Sequence, residues 1–124
     1  MRPAVRLLGL AALCAMTGCA TTKPQTLYYW GDYEEQIYTA HAKGGTLGVH
    51  DQIIALEADK ATAAGAGRRL PPGFHAHLGY LYFEDGQGDA AHAELLAEKA
   101  AFPESATFID RLLANMAAPA GEAK

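Results

Sequence analysis

The five histidines are the side chains best suited to hold a metal ion or to transfer protons near neutral pH. His75 and His77 are the closest pair, but two positions along a helix turn their side chains about 200° apart. They therefore cannot converge on one ion. His41, His50 and His92 are scattered along the chain, and we interpret them as solvated or capping side chains. The sequence predicts no metal site.

Two adjacent acidic pairs, Glu34–Glu35 and Glu84–Asp85, could suggest acid–base chemistry. Neighbouring residues on a helix point apart, and both pairs fall at the ends of predicted helices, where dipole and capping interactions explain them. The sequence also contains no glycine-rich phosphate loop and no nucleophile elbow. We predict that the protein is not an enzyme, has no catalytic residues and needs no cofactor.

The N-terminal residues indicate export. A basic start with Arg2 and Arg6 is followed by an apolar run over residues 7–16 and then by Thr17 and Gly18. This pattern is typical of a secretory signal peptide, and the run is about half of the roughly 20 residues that a membrane-spanning helix needs. We predict a signal peptide over residues 1–18.

The residues before Cys19 resemble the lipobox of bacterial lipoproteins, in which a cysteine thiol receives a diacylglyceryl group. Cys14 is a poorer candidate because the bulky Leu13 precedes it. Two or three acyl chains, such as palmitate, give a stable membrane anchor. Ala20 follows, where the resemblance places Asp in lipoproteins retained at the inner membrane. We predict lipidation at Cys19 and attachment to the periplasmic face of the outer membrane.

Length and charge restrict the remaining chain. Removal of residues 1–18 from 124 leaves 106, enough for one small domain. Loss of Arg2 and Arg6 takes the formal net charge from −4 to −6, which argues against nucleic acid or an anionic lipid surface as a partner. With Cys14 removed and Cys19 acylated, no thiol remains for a disulfide.

Residues 19–31 are predicted to form the lipidated cysteine and a tether. The polar stretch 20–26 contains Pro24 and lacks periodicity. The aromatic cluster Leu27–Trp30 follows, and we interpret it as a lid on the first helical hairpin. A membrane contact and a partner anchor are the alternatives.

Residues 32–116 are predicted to form an all-α domain of about five short helices, because apolar residues recur at helical spacing between Gly- or Pro-marked turns. The predicted starts are Asp32 with Glu35, Thr46, Pro71–Pro72, Asp89 and Ser105. The predicted apolar positions are Tyr33, Ile37, Ala40, Val49, Ile53, Leu56, Ala63, Phe74, Leu78, Leu81, Tyr82, Ala91, Leu95, Phe102, Phe108 or Ile109, Leu112 and Met116. Residues 117–124 contain no core former and are predicted to be disordered.

The third and fourth helices resemble one tetratricopeptide repeat. The segment Leu78-Gly79-x-x-Tyr82 is followed by Gly86, Ala91, Leu95 and Pro103, at the positions of the repeat's close crossing, turn and exit. Glu98 departs from the repeat, which has a small residue there. About two and a half hairpin units make a short array, which favours a permanent partner or self-association.

The chain after Cys19 also resembles the small bacterial lipoproteins of domain of unknown function 4810. The segments that carry the resemblance begin at Tyr29-Trp30-Gly31, at Pro71-Pro72-Gly73-Phe74 and at Phe102-Pro103-Glu104-Ser105. The resemblance implies a place in an envelope complex, since such lipoproteins are often encoded beside one similar to the curli secretion channel.

The tetratricopeptide resemblance predicts a partner-binding groove. With Leu78 packed inside, the concave side of the third helix presents Ala76, Tyr80, Phe83 and Glu84, together with Gly73. The alternative is that the final helix or the first hairpin covers these residues as core. We expect a non-catalytic lipoprotein that binds another envelope protein as a scaffold or assembly factor.

Two other functions fit the sequence. One is a periplasmic enzyme or small-ligand-binding lipoprotein with a pocket between the hairpins, near Tyr38, His41 or His77. The other is a regulator of cell-wall or surface-polymer synthesis that acts from the outer membrane. Converging polar groups in a closed cavity would favour the first of these.

Overall fold

The computed structural model describes residues 26–42 and 47–117, which in these ranges form five α-helices and no β-strand. They are α1 (Tyr33–Ala42), α2 (Val49–Gly65), α3 (Phe74–Glu84), α4 (Gly88–Ala101) and α5 (Ala106–Ala117), and a 3-10 turn (Pro103–Ser105) precedes α5. The predicted all-α fold is confirmed. Within the described ranges, each helix is too short or too polar to cross a bilayer.

Several predictions concern residues outside these ranges. The signal peptide over 1–18, lipidation at Cys19, the cap at Thr46 and the tail from 118 onward are all in this group. Ala117, predicted as the first residue of the tail, is instead the last residue of α5.

The core lies where α1, α2 and α3 meet and extends between α3, α4 and α5. Its buried members were mostly predicted from helical spacing, and they are Tyr33, Ile53, Leu56, Ala63, Phe74, Leu78, Leu81, Ala91, Leu95, Phe102 and Ile109. Sequence reasoning left Phe108 and Ile109 as alternatives. Ile109 is fully buried, whereas Phe108 is 61% exposed.

The α3–α4 hairpin has the close crossing that the repeat resemblance predicted. A Cβ added to Gly79 would lie 3.0 Å from Cγ of Leu95 and 3.1 Å from the carbonyl oxygen of Ala91. Only glycine fits between the two helices without displacing backbone. The turn that follows is also as predicted, since Gly86 has a φ of 79°.

The helices α1 and α5 begin directly after the predicted caps Asp32 and Ser105, whereas the starts of α3 and α4 differ from those predicted. Pro71 and Pro72 precede α3 rather than opening it, and α4 begins at Gly88 without a side-chain cap from Asp89. Ser105 lies in the 3-10 turn, where its hydroxyl donates to the carbonyl oxygen of Phe102 (2.7 Å). At α1, the amide of Asp32 donates to the carboxylate of Asp59 on α2 (3.1 Å). In the predicted capping box, Glu35 would accept this hydrogen bond from the Asp32 amide. A carboxylate from another helix accepts it instead and stabilises the start of α1.

The segment before α1 packs beside the end of α2. The amide of Tyr29 donates to the carbonyl oxygen of Arg69 (2.8 Å), and Tyr28 forms an isolated parallel bridge with Arg69. Tyr28 also meets the ring of Phe102 edge-on at 6.0 Å. Trp30 stacks on Tyr33 with ring centroids 6.4 Å apart. These contacts agree with the lid interpretation of Leu27–Trp30, although Leu27 itself is 74% exposed.

Candidate functional site

Tyr80 and Phe83 of α3 line an apolar cleft against α5. Leu112, Asn115 and Met116 form the opposite wall, and the cleft has a volume of about 130 Å³. Tyr80 is 46% exposed and Phe83 is 44% exposed. The final helix therefore borders these aromatic rings without covering them.

The cleft stays open because α5 is anchored at one residue. Ile109 is the one buried residue of this helix, whereas Leu112, Leu113 and Met116 are half-buried. A second cleft of about 260 Å³ continues beside Phe83, and it is lined by Gly88, Asp89, His92, Leu113, Met116 and Ala117. We refer to the two adjoining clefts together as the α3–α5 groove.

Glu84 and Ala76, the other predicted members of the groove, have different positions. The hydroxyl of Tyr80 donates to Oε1 of Glu84 (2.7 Å), and this hydrogen bond raises the pKa of Tyr80. The bond ties the phenol to a carboxylate at the end of α3. Ala76 lies one turn before Tyr80, lines neither cleft, and donates its amide to Glu98 (3.3 Å).

Glu98, the departure from the tetratricopeptide pattern, is a buried capping residue. Its side chain is 2% exposed, and Oε1 accepts a hydrogen bond from the amide of Gly73 (2.7 Å). Oε2 accepts from the amide of Ala76. The carboxylate thus satisfies two amides at the first turn of α3 and favours the positive end of the helix dipole. The sequence signal was an acidic residue at a position predicted to be buried.

Sequence reasoning missed a charged network that joins three helices. Glu94 on α4 accepts hydrogen bonds from Lys60 Nζ on α2 (2.5 Å) and interacts with His75 Nδ1 on α3 (2.6 Å). Lys60 also donates to Glu57 (3.1 Å), which accepts from the hydroxyl of Tyr82 (2.9 Å). Burial opposes the charge on Glu94, but the bonds to His75 and Lys60 prevail and lower its pKa.

The histidines do not form a metal site in the described part of the chain. His75 turns to Glu94, whereas His77 packs edge-on against the ring of Tyr33 at 6.0 Å, so the pair diverges as predicted. No group of three possible ligands occurs among residues 26–42 and 47–117. Burial, followed by the charge of His41, lowers the pKa of His77.

The residues suggested for an alternative pocket between the hairpins, which are Tyr38, His41 and His77, line neither cleft of the α3–α5 groove. Tyr38 is 61% exposed, and the exposed His41 forms a hydrogen-bond contact with the carbonyl oxygen of Ile37 (2.9 Å). His77 is half-buried, and its Nε2 has no hydrogen-bond partner among the described residues.

Comparison with known proteins gives one informative result. No curated protein and no solved structure matches the chain. The family model described as Domain of unknown function (DUF4810) matches residues 27–112, which include the Leu27–Trp30 segment, Glu94, Glu98, Tyr80 and Phe83. Because this match spans more than half of the sequence, the chain belongs to the DUF4810 family.

Proposed function

We propose that this protein is an outer-membrane lipoprotein that acts without catalysis, as a scaffold or assembly factor in an envelope complex. In this proposal, acyl chains on Cys19 hold the domain at the membrane. The α3–α5 groove binds a segment of another envelope protein. A lipoprotein similar to the curli secretion channel is the first partner to test.

The α3–α5 groove is the observation that carries this proposal. Two aromatic rings on α3 face half-buried apolar side chains on α5. The charged side chains around Glu94 bind one another between helices and do not line this groove. Exposed rings beside a helical groove are suited to hold an apolar peptide segment.

The anchor can be tested separately from the groove. Protein purified from bacterial membranes should carry acyl chains on an N-terminal Cys19, measured as an added mass on the first peptide. The Cys19→Ser variant should be released from the membrane fraction. An unmodified thiol in the membrane-purified protein would contradict the anchor while leaving the groove untouched.

The groove is tested by photo-crosslinking in intact cells. A photoreactive phenylalanine replaces Phe83 in one variant and Ile54 in the control, because Ile54 is 57% exposed on α2 and does not line the groove. We expect the Phe83 position to capture a defined envelope protein that the Ile54 position does not capture. Identical crosslinked products at both positions would contradict a specific groove.

Substitution then tests whether the captured protein depends on the rings. Tyr80→Ala/Phe83→Ala should reduce recovery of that protein at least about tenfold, because two aromatic contacts at an interface together contribute more than 1.4 kcal/mol. Phe108→Ala is the control, since it removes a ring that is even more exposed and lies outside the groove. Equal recovery of the captured protein by the wild type, the double variant and the control variant, with unchanged circular dichroism, would contradict the proposal.

A further inference from the structure

Two adjacent arginines form an exposed cationic surface at one end of the domain. Arg68 and Arg69 follow the end of α2, and neither forms an ion pair with a carboxylate of the described residues. Both guanidinium groups are held in place by the protein. Nη2 of Arg68 donates to the carbonyl oxygens of Thr26 (2.6 Å) and Tyr28 (2.8 Å), and Arg69 lies over the rings of Tyr28 and Phe102.

The same end of the domain is where the chain arrives from Cys19. Thr26, which Arg68 binds, is seven positions after Cys19 in the sequence. Seven residues span at most about 25 Å when fully extended. Leu27, which is 74% exposed, lies between the two residues whose carbonyl oxygens Arg68 binds. An anchor at Cys19 would therefore keep this end close to the bilayer.

The opposite end of α3 is acidic. Glu84 and Asp85 end this helix, and Asp89 lies in the first turn of α4. The two arginines precede α3 in the chain, whereas these three carboxylates lie at the other end of that helix. Phe83 and the groove also lie toward the acidic end of α3, away from the arginines.

We propose that the surface formed by Leu27, Arg68 and Arg69 faces the membrane, and that its guanidinium groups bind the phosphates of anionic phospholipids. This inference rests on the acyl anchor of the proposed function. Guanidinium groups bind phosphate oxygens through paired N–H donors. The negative net charge that argued against an anionic lipid surface is a property of the whole mature chain. The proposed contact involves only two arginines, and charges more than about 8 Å away from them are largely screened at physiological salt.

The test uses the acylated full-length protein reconstituted in phospholipid vesicles. Trp30 is the single tryptophan, so Trp30→Phe provides a background without tryptophan fluorescence. Leu27→Trp in that background places a reporter at the proposed contact. His50→Trp is the matched control, since His50 is exposed at the other end of α2, a helix of 17 residues and about 25 Å. Brominated phospholipids quench only a tryptophan that lies at the bilayer.

We expect brominated lipid to quench the tryptophan fluorescence of Leu27→Trp and to leave the fluorescence of His50→Trp unquenched. Quenching should be stronger in phosphatidylglycerol vesicles than in phosphatidylcholine vesicles, and added salt should remove the difference. Equal quenching of both reporters overturns the orientation. Quenching of Leu27→Trp that is identical in the two lipids and insensitive to salt overturns the phosphate contact.

Flotation of the vesicles separates this inference from the proposed function. Protein that floats with vesicles but shows an unquenched Leu27→Trp reporter retains the anchor and contradicts the orientation alone. Protein that does not float has no functional anchor, and this result overturns both proposals. Circular dichroism of each variant confirms that the helices are intact.

Discussion

Glu98 shows how one buried carboxylate stabilises a helix start that has no local cap. Gly73 precedes α3 with a φ of 89° and provides no side chain, so the first amides of the helix depend on Glu98 of α4. Glu98→Ala should destabilise the fold by about 1–3 kcal/mol, because it leaves buried amides unpaired. Glu98→Gln keeps an acceptor oxygen and should cost less. Urea unfolding measures both, and an equal loss would show that the negative charge dominates.

The buried phenol of Tyr33 should make the fold less stable at alkaline pH. Burial, together with the nearby charge of Glu98, raises its pKa from 10.0 to about 12. The folded state therefore keeps the phenol protonated where the unfolded chain ionises. This contribution to stability is complete below pH 10 and falls between pH 10 and 12, by at most roughly 2–3 kcal/mol.

Tyr33→Phe isolates that contribution. The variant keeps the ring that packs on Phe74 at 5.2 Å, but it removes the ionisable hydroxyl. Its free energy of unfolding should fall less steeply than that of the wild type from pH 10 to 12. Tyr38→Phe is the control, because the side chain of Tyr38 is 61% exposed. Parallel curves for Tyr33→Phe and wild type would contradict the raised pKa.

Gly79 should tolerate no side chain. Alanine there would gain up to about 1 kcal/mol of helix propensity, but overpacking against Leu95 and the Ala91 carbonyl costs about 1–3 kcal/mol. We expect a net destabilisation of about 1–2 kcal/mol in urea unfolding. Gly65→Ala is the matched control, since a Cβ on this last residue of α2 meets nothing within 4 Å. Similar stabilities for the two variants would contradict the close crossing.

The charged network around Glu94 connects α2, α3 and α4, and its contribution should depend on pH. A lowered pKa means that the folded state favours the carboxylate, so its stabilisation is present above the ordinary value of 4.5 and is lost as pH falls. Glu94→Gln should cost about 1–3 kcal/mol at pH 7. The difference from wild type should shrink under acid conditions.

Asp110→Asn is the control for the network. Asp110 pairs with Lys99 at 2.6 Å, but the side chain of Asp110 is 57% exposed, and such pairs contribute little. Its unfolding curve should match that of the wild type at both pH values. A Glu94→Gln penalty that persists unchanged at acid pH would indicate a packing effect rather than a charge effect.

The helices and two of their starts could be predicted from sequence, but the contacts that cap α1 and α3 could not. Apolar spacing located Leu56, Leu78 and Leu95 correctly because burial on one face imposes the period of the helix. Local capping rules placed starts at Asp32 and at Pro71–Pro72, whereas Asp59 and Glu98 supply carboxylates from other helices to the starts of α1 and α3. Such contacts depend on tertiary packing, which no short motif records.

The helical period of α3 made part of the candidate site predictable, whereas the packing of α5 against it was not. Leu78 marks the buried side of α3, and helical spacing then places Tyr80 and Phe83 together on the exposed side. How far α5 covers that face depends on where Ile109 anchors it. Sequence spacing alone allowed either Phe108 or Ile109 to be that anchor, so the groove's outer wall could not be placed.

Across the domain, stability should decrease from the α3–α4 hairpin toward α1. In α1 only Tyr33 and Gln36 are buried, and Oε1 of Gln36 has no hydrogen-bond partner among the described residues. By contrast, α3 buries Phe74 and Leu78 fully. Helices with few buried apolar contacts open locally, at a free energy below that of global unfolding.

Hydrogen exchange of the full-length protein measures this gradient. Amides of α1 should exchange through an opening that leaves α3 and α4 protected, because Tyr33, whose ring packs on Phe74, is the one buried apolar residue of α1. Tyr33→Ala should speed exchange in α1 far more than in α4. Equal protection of α1 and α4 in the wild type would show that the domain opens as one unit. A gradient would instead place the α3–α5 groove beside the hairpin that stays folded longest, which gives a bound partner a rigid wall on the α3 side.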